Sequence, residues 1–179
     1  MPTVNRNTIP SGLKLSRLKK SLLQLNQAVL YDWTLAGRRV RLWKGVGESY
    51  EHVLMKALGY AMYVREFPDL RVEHPVGLRY KPDLVAQDAD GKFQFWGECG
   101  TIAIRKIKWL LKHARVEHLV IFKIYGATTF TQDLRAELEP RYRTANRVTI
   151  INFTPEVIEH ATTSNITEVP PEWYAKIVL

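Results

Sequence analysis

Asp83 and Glu98 are the residues whose type and spacing point first to chemistry. Asp83 follows Lys81-Pro82, and Glu98 stands near the end of an alternating stretch from Lys92 to Cys99. Between them, Asp88-Ala-Asp90-Gly91 is a strong tight-turn sequence. A hairpin folded there brings the two acids side by side, because they lie about equally far from the turn. Alternation puts Gln94, Trp96, Glu98 and Gly100 on one face of the second hairpin strand. Two carboxylates on adjacent strands are costly unless a cation neutralises them. A hard divalent ion accepts one or two carboxylates, keeps several waters and binds substrate phosphate, so Mg²⁺ (or Mn²⁺) is the expected cofactor. Such an ion polarises a phosphate and supplies hydroxide. Either acid alone reads as a surface carboxylate near a strand end. The pair, followed by a basic helix, reads as a site.

Glu48 and Glu51 compete for a supporting role. They lie one turn apart at the start of a helix, on nearly the same face. Both also suit the helix dipole as ordinary first-turn acids. Glu51 lies further into the helix and is the preferred ligand or water-orienting group. Trp96 reads as a wall of the cleft or as core rather than as a stacking platform, and the Cys99 side chain reads as a small buried group on the opposite face. His113 and His118 receive no role.

The surrounding elements follow from periodicity. Residues 1–21 form a basic, partly mobile segment, and residues 22–179 form a single domain. From Leu22 to Leu42 the pattern is that of strands, with Leu23, Leu25 and Gln27 alternating and a turn at Ala36-Gly37. After Gly45-Val-Gly47, the residues Val53, Ala57, Tyr60, Ala61 and Val64 recur at helical spacing up to Pro68. Strands are expected over Leu70–Pro75, Leu78–Val85 and Lys92–Cys99, and a helix over Ile102–His113 with a buried stripe of Ile104, Ile107, Leu111 and Ala114. A buried strand over Leu119–Ile124, a helix over Thr131–Leu138, a strand over Val148–Phe153 and a helix opening at Thr154-Pro155-Glu156 complete the order. The third and fourth strands are parallel, since the helix between them is long enough for a crossover. The fold class is α/β (α+β): a mixed central sheet flanked by helices, with an N-terminal β-hairpin.

Composition limits the alternatives. One cysteine in 179 residues excludes a disulfide within the chain, and a zinc site would rest mainly on histidine and carboxylates. No apolar run approaches the length of a membrane span, so a cytoplasmic protein is expected. The formal net charge of +8 favours a polyanionic partner.

These residues also resemble a known family. Glu48, Pro82-Asp83 and Glu98 stand in the order of the PD-(D/E)XK nuclease superfamily: a helix glutamate, an aspartate after proline, and an acid on the next strand. A closer likeness is to the YaeQ family of small bacterial proteins. It is carried by Gly47-Glu48-Ser-Tyr-Glu51, Lys81-Pro82-Asp83-Leu84 and Trp96-Gly-Glu98-Cys-Gly100, and covers about residues 45–125. The resemblance implies a restriction-endonuclease-like core and a metal held by Asp83, Glu98 and the backbone carbonyl of Cys99. In the superfamily pattern a lysine stands two residues after the strand acid. Here that position is Gly100, which cannot stabilise an attacking water or developing charge. The resemblance therefore implies a migrated basic residue from the next helix, with Arg105, Lys106 and Lys108 as candidates and Lys106 preferred.

Three functions compete. One is a metal-dependent nuclease acting on DNA, less readily on RNA, with Asp83, Glu98, Lys106, Lys108, Glu51 and Glu48 as its catalytic set. The second is a nucleic-acid-binding module on the same fold, and the third is a protein-interaction component. A homodimer is a further association, and no membrane partner is expected. Lys14, Arg17, Lys19, Lys20 and Arg105 would contact phosphates. Neutralising Lys14, Arg17, Lys19 and Lys20 should flatten the salt dependence of nucleic-acid binding by up to about one unit of slope per lost contact. Binding isotherms over a salt series measure this, and an unchanged slope would make the segment a solvated tail.

Overall fold

A computed structural model of the chain describes residues 26–143, 147–161 and 165–179, and within these the side chain of His160 is left aside. The described residues form a mixed α+β fold with two mixed sheets. The chain opens on a hairpin of β1 (Val29–Leu35) and β2 (Arg38–Lys44). Its two-residue turn places Ala36 at φ 49° and Gly37 at φ 81°. Both residues are left-handed, which matches the twist of the flanking strands. The expected turn is thus present. The strand itself starts later than Gln27, which lies before β1, and residues 22–25 fall outside the described residues. A short strand, β8 (Asn165–Ile166), joins β1 in parallel and makes this a separate three-stranded sheet.

Helix α1 (Tyr50–Tyr63) follows, capped by Ser49, whose side chain accepts from the His52 N–H at 3.2 Å. It is buried from Val53 to Ala61 because it lies between the small sheet and the large one. The large sheet has six strands in the order β3-β4-β5-β6-β7-β9. These are β3 (Arg71–Val72), β4 (Leu84–Gln87), β5 (Phe93–Cys99), β6 (His118–Lys123), β7 (Val148–Phe153) and β9 (Tyr174–Val178). The pairs β3/β4, β4/β5 and β7/β9 are antiparallel, whereas β5, β6 and β7 run parallel. Parallel neighbours need crossovers. Helix α2 (Ile104–Trp109), continued by a wider π turn over Leu110–Ala114, joins β5 to β6, and helix α3 (Ala127–Glu137) joins β6 to β7. A short helix, α4 (Val157–His160), precedes β8.

The sheet is buried on both faces. Leu84, Phe95, Phe122 and Phe153 pack toward α1, while Val85, Trp96, Ile121 and Ile150 pack toward Ile107, Leu110 and Leu134 of the crossover side. Such burial explains the near-continuous apolar runs of β6 and β7.

Several expected boundaries move, each for a local reason. The strand over Leu70–Pro75 shrinks to Arg71–Val72 because Glu73 turns to φ 51°. The strand over Leu78–Val85 starts only at Leu84, since Pro82 has no N–H for the ladder. Gly100 at φ 75° and an extended Ala103 delay the basic helix to Ile104. A left-handed Gly126 starts α3 at Ala127, ahead of Thr131. Thr154-Pro155 forms a turn and not the first helical residues, so α4 begins at Val157.

Glycine allows the closest contact of helix and sheet. A Cβ on Gly59 of α1 would stand 2.7 Å from Leu84 Cδ1 and 2.8 Å from Phe122 Cζ, both on fully buried side chains. A Gly59→Ala chain should therefore lose about 1–3 kcal/mol by overpacking. Urea unfolding measures it, with a shifted midpoint and an unchanged slope.

Candidate active site

The β4–β5 register sets Leu84 opposite Gly97, and Asp83 N–H donates to the Gly97 carbonyl at 3.2 Å. Continued by one residue, this register sets Asp83 across from Glu98. Asp83 stands two residues before Val85 and Glu98 two residues after Trp96, the pair that enters the crossover core.

Glu98 is 5% exposed. Its Oε1 accepts from Trp96 Nε1 at 2.7 Å and its Oε2 from Lys106 Nζ at 2.6 Å. The same ammonium lies 5.2 Å from the centre of the Tyr80 ring. Burial pushes the Glu98 carboxyl above the usual glutamate range, against the opposing pull of Lys106 and Trp96, and the charge of Asp83 pushes the same way. Asp83 is held differently. Its Oδ2 accepts from Cys99 N–H at 2.7 Å, and its Oδ1 lies 3.3 Å from His52 Nε2. Burial opposes its ionisation, but His52, the Cys99 amide and the charge of Lys56 outweigh that and hold it below the usual aspartate range. Neighbouring carboxyls with oppositely displaced proton affinities are a pattern of acid–base sites.

A second ionic group adjoins Asp83 through His52. Lys56, 1% exposed, donates to Glu48 Oε1 at 2.6 Å and to Glu73 Oε1. Burial would lower its proton affinity, yet these two carboxylates raise it above the usual lysine value. Glu48 Oε2 accepts from Gly45 N–H at 2.8 Å, its Oε1 lies 3.6 Å from His52 Nε2, and Lys81 Nζ stands 3.5 Å from Glu73 Oε2.

The sequence-based candidates separate on this frame. Lys106 reaches Glu98. Lys108 does not: it lies two residues round the helix and donates to Glu137 on α3 at 2.9 Å. Arg105 is exposed. Glu48, and not the preferred Glu51, joins the ionic group. Ser49 takes the cap, so Glu48 lies before the helix and its carboxylate folds back to Gly45. Cys99 contributes its amide to Asp83, while its side chain is buried toward α1. Lys14, Arg17, Lys19 and Lys20 lie outside the described residues.

Sequence reasoning passed over His52, Lys56 and Glu73. Lys56 had a signal: a single charge inside the otherwise apolar run Val53-Leu54-Met55-Lys56-Ala57-Leu58. A buried lysine must find carboxylates. Glu73 had none, because only the fold brings it to α1.

Among the described residues, no three His, Cys, Asp or Glu side chains come together to hold a metal ion. Asp83 and Glu98 alone offer two hard oxygen donors across one strand pair. By donor type the pair is nearer to the oxygen ligands of Mg²⁺ than to zinc's nitrogen and sulfur shell, but all four oxygens already face protein nitrogens.

Asp83 also sets a pH dependence. Its folded-state proton affinity lies below the ordinary value of 3.8, so its stabilisation is present above that pH and is lost as pH falls through the folded value. Glu98 is displaced upward and acts with the opposite sign. An Asp83→Asn chain should show a shallower loss of stability on acidification below 3.8, read from urea unfolding at stepped pH.

Comparison with known proteins places this architecture. A model of the YaeQ protein family matches residues 46–168. The crystal structure of YaeQ protein from Xanthomonas axonopodis pv. citri is similar at TM-score 0.50 and 16% identity, covering 78% of this chain and 81% of that one. That of YaeQ protein from Pseudomonas syringae is similar at TM-score 0.51 and 15% identity, covering 87% and 94%. A search of curated proteins gave no match.

Proposed function

This chain belongs to the YaeQ family, and we propose that it is a metal-dependent nuclease of PD-(D/E)XK type, hydrolysing phosphodiester bonds of DNA in preference to RNA. One observation carries the reading: the Lys106 ammonium, from the helix after the acid-bearing strand, lies 2.6 Å from Glu98, which stands across from Asp83. The order of helix acid, Pro-Asp and strand acid agrees with it. So does the mixed sheet, in which an antiparallel hairpin leads through a crossover helix to a parallel strand.

When bound at Asp83 and Glu98, Mg²⁺ supplies Lewis acidity and a more acidic water. The chain's own groups do the rest. Asp83, held ionised by His52 and the Cys99 amide, keeps a negative charge at the strand end. Glu98 would hold the ion beside Asp83 from a buried position bonded to Trp96 and Lys106. Trp96 fixes one Glu98 oxygen, which leaves the other to Lys106. Lys106 brings a positive charge that stabilises the pentavalent phosphate more than the ground state.

A second reading has its own support. All four oxygens of Asp83 and Glu98 face protein nitrogens already: Trp96, Lys106, Cys99 and His52. A site closed by its own nitrogens suits a nucleic-acid-binding module without catalysis.

A cleavage assay on DNA with Mg²⁺ or Mn²⁺ separates the two. In the nuclease, Lys106→Ala should lower turnover about a hundredfold while DNA affinity changes less than about twofold. Equal loss of both would make Lys106 a phosphate contact, and no metal-dependent cleavage by the unaltered chain would leave the binding module.

A further inference from the structure

Three parallel strands end together at Cys99, Lys123 and Phe153. The carboxyl ends of parallel strands are where open α/β sheets take ligands. A groove of about 280 Å³ lies there, between the start of α1 and the ends of β5 and β6, lined in part by Glu51, Gly100, Thr101, Lys123 and Tyr125. It is separate from Glu98 and Lys106 but continues past Met55 and Gly100 toward His52 and Glu48.

The groups around this groove are incompletely matched. Lys123 is 7% exposed, yet no described carboxylate pairs with it. Its ammonium donates to the Gly100 carbonyl at 3.0 Å and lies 4.4 Å from the centre of the Phe130 ring. Burial alone lowers its proton affinity. A buried ammonium with one carbonyl and a ring face for company lacks an anion. Asn152, next to it in the β6–β7 register but not in the groove's lining, has a buried Oδ1 without a hydrogen-bond donor. Glu51 also lines the groove and offers an acceptor. At the mouth, the Tyr125 ring is 63% exposed. The groove thus lacks an anion for Lys123 and a flat ring for Tyr125. A nucleotide unit supplies both.

We propose that this groove seats one nucleotide of a single-stranded nucleic acid, with its phosphate on Lys123 and its base stacked on Tyr125. The proposal rests on the phosphodiesterase reading and names its substrate as a single strand or frayed end. A base can lie against Tyr125 only when it is out of a duplex stack. Lys123 is then a positioning contact for a neighbouring phosphate, set apart from the charge that Lys106 places at Glu98.

The test uses the full chain and fluorescence anisotropy in EDTA, so that no cleavage intervenes. The probes are a labelled single-stranded DNA oligonucleotide, its duplex, and unlabelled deoxynucleoside monophosphate as competitor. Tyr125→Leu and Lys123→Gln should each weaken single-strand binding by about tenfold and duplex binding by less than about twofold. Lys92→Ala, at an exposed residue beside the Asp88–Gly91 turn, should change neither. Should Lys123→Gln fail to fold by circular dichroism, the exposed Tyr125→Leu decides alone. Unchanged single-strand affinity in the folded variants would overturn the proposal, as would binding of the duplex only, of the monophosphate only, or of no probe at all. The nuclease reading fails on a different result: no metal-dependent cleavage while the single-strand binding stands.

Discussion

Helix α1 lies against the large sheet at glycine distance, and the rest of the arrangement depends on that approach. Gly59 faces Leu84 and Phe122, and Gly97 of β5 faces the same two side chains. With no Cβ on either glycine, the helix settles onto the junction of β4, β5 and β6. Its axis and height are then fixed, and so is the reach of every side chain before Gly59. Lys56, three residues earlier, meets Glu73 beyond the sheet edge. His52, one further turn back, meets Asp83. A larger residue at either glycine would lift the helix and part the pairs together.

The electrostatics follow from this packing. Burial works against the charges of Asp83, Glu98, Glu73 and Lys56, and each acid is held ionised only by the donors that face it. Asp83 has an amide and an imidazole and remains the stronger acid. Glu98 is more enclosed, and Lys106 and Trp96 do not fully offset its desolvation. One strand pair thereby holds two acids of unlike character, a division of labour that identical surface carboxylates would not provide. The buried Lys56 holds Glu73 ionised against its burial in the same way and also pairs with Glu48.

A fold shared at 15–16% identity with the two YaeQ structures is held by constraints that few residues meet. The sheet must be apolar on both faces, the crossovers must be long enough to return in parallel, and the helix on the other face must come close. Surface identity is free to drift under those conditions.

Much of this was legible in the chain before any coordinates. Alternation and the Asp88–Gly91 turn determined the β4–β5 hairpin, and with it the register that sets Asp83 across from Glu98, because the side-chain period of a strand is two. Helical spacing determined that a basic helix follows Gly100 and left both Lys106 and Lys108 able to lean to the sheet; the fold sends Lys106 to Glu98 and Lys108 to Glu137. Local patterns also identified the parallel strands, whose apolar runs tolerate no exposed face. Distances along the chain could not decide which glutamate of α1 joins the cluster. The cap at Ser49 decided it by leaving Glu48 outside the helix and turned inward. Nor could they bring Glu73 to Lys56, or Asn152 beside Lys123, since those meetings join elements that approach only when the sheet is assembled. Periodicity reports which face of an element is buried; which buried charges find each other is set by the three-dimensional packing of several elements at once.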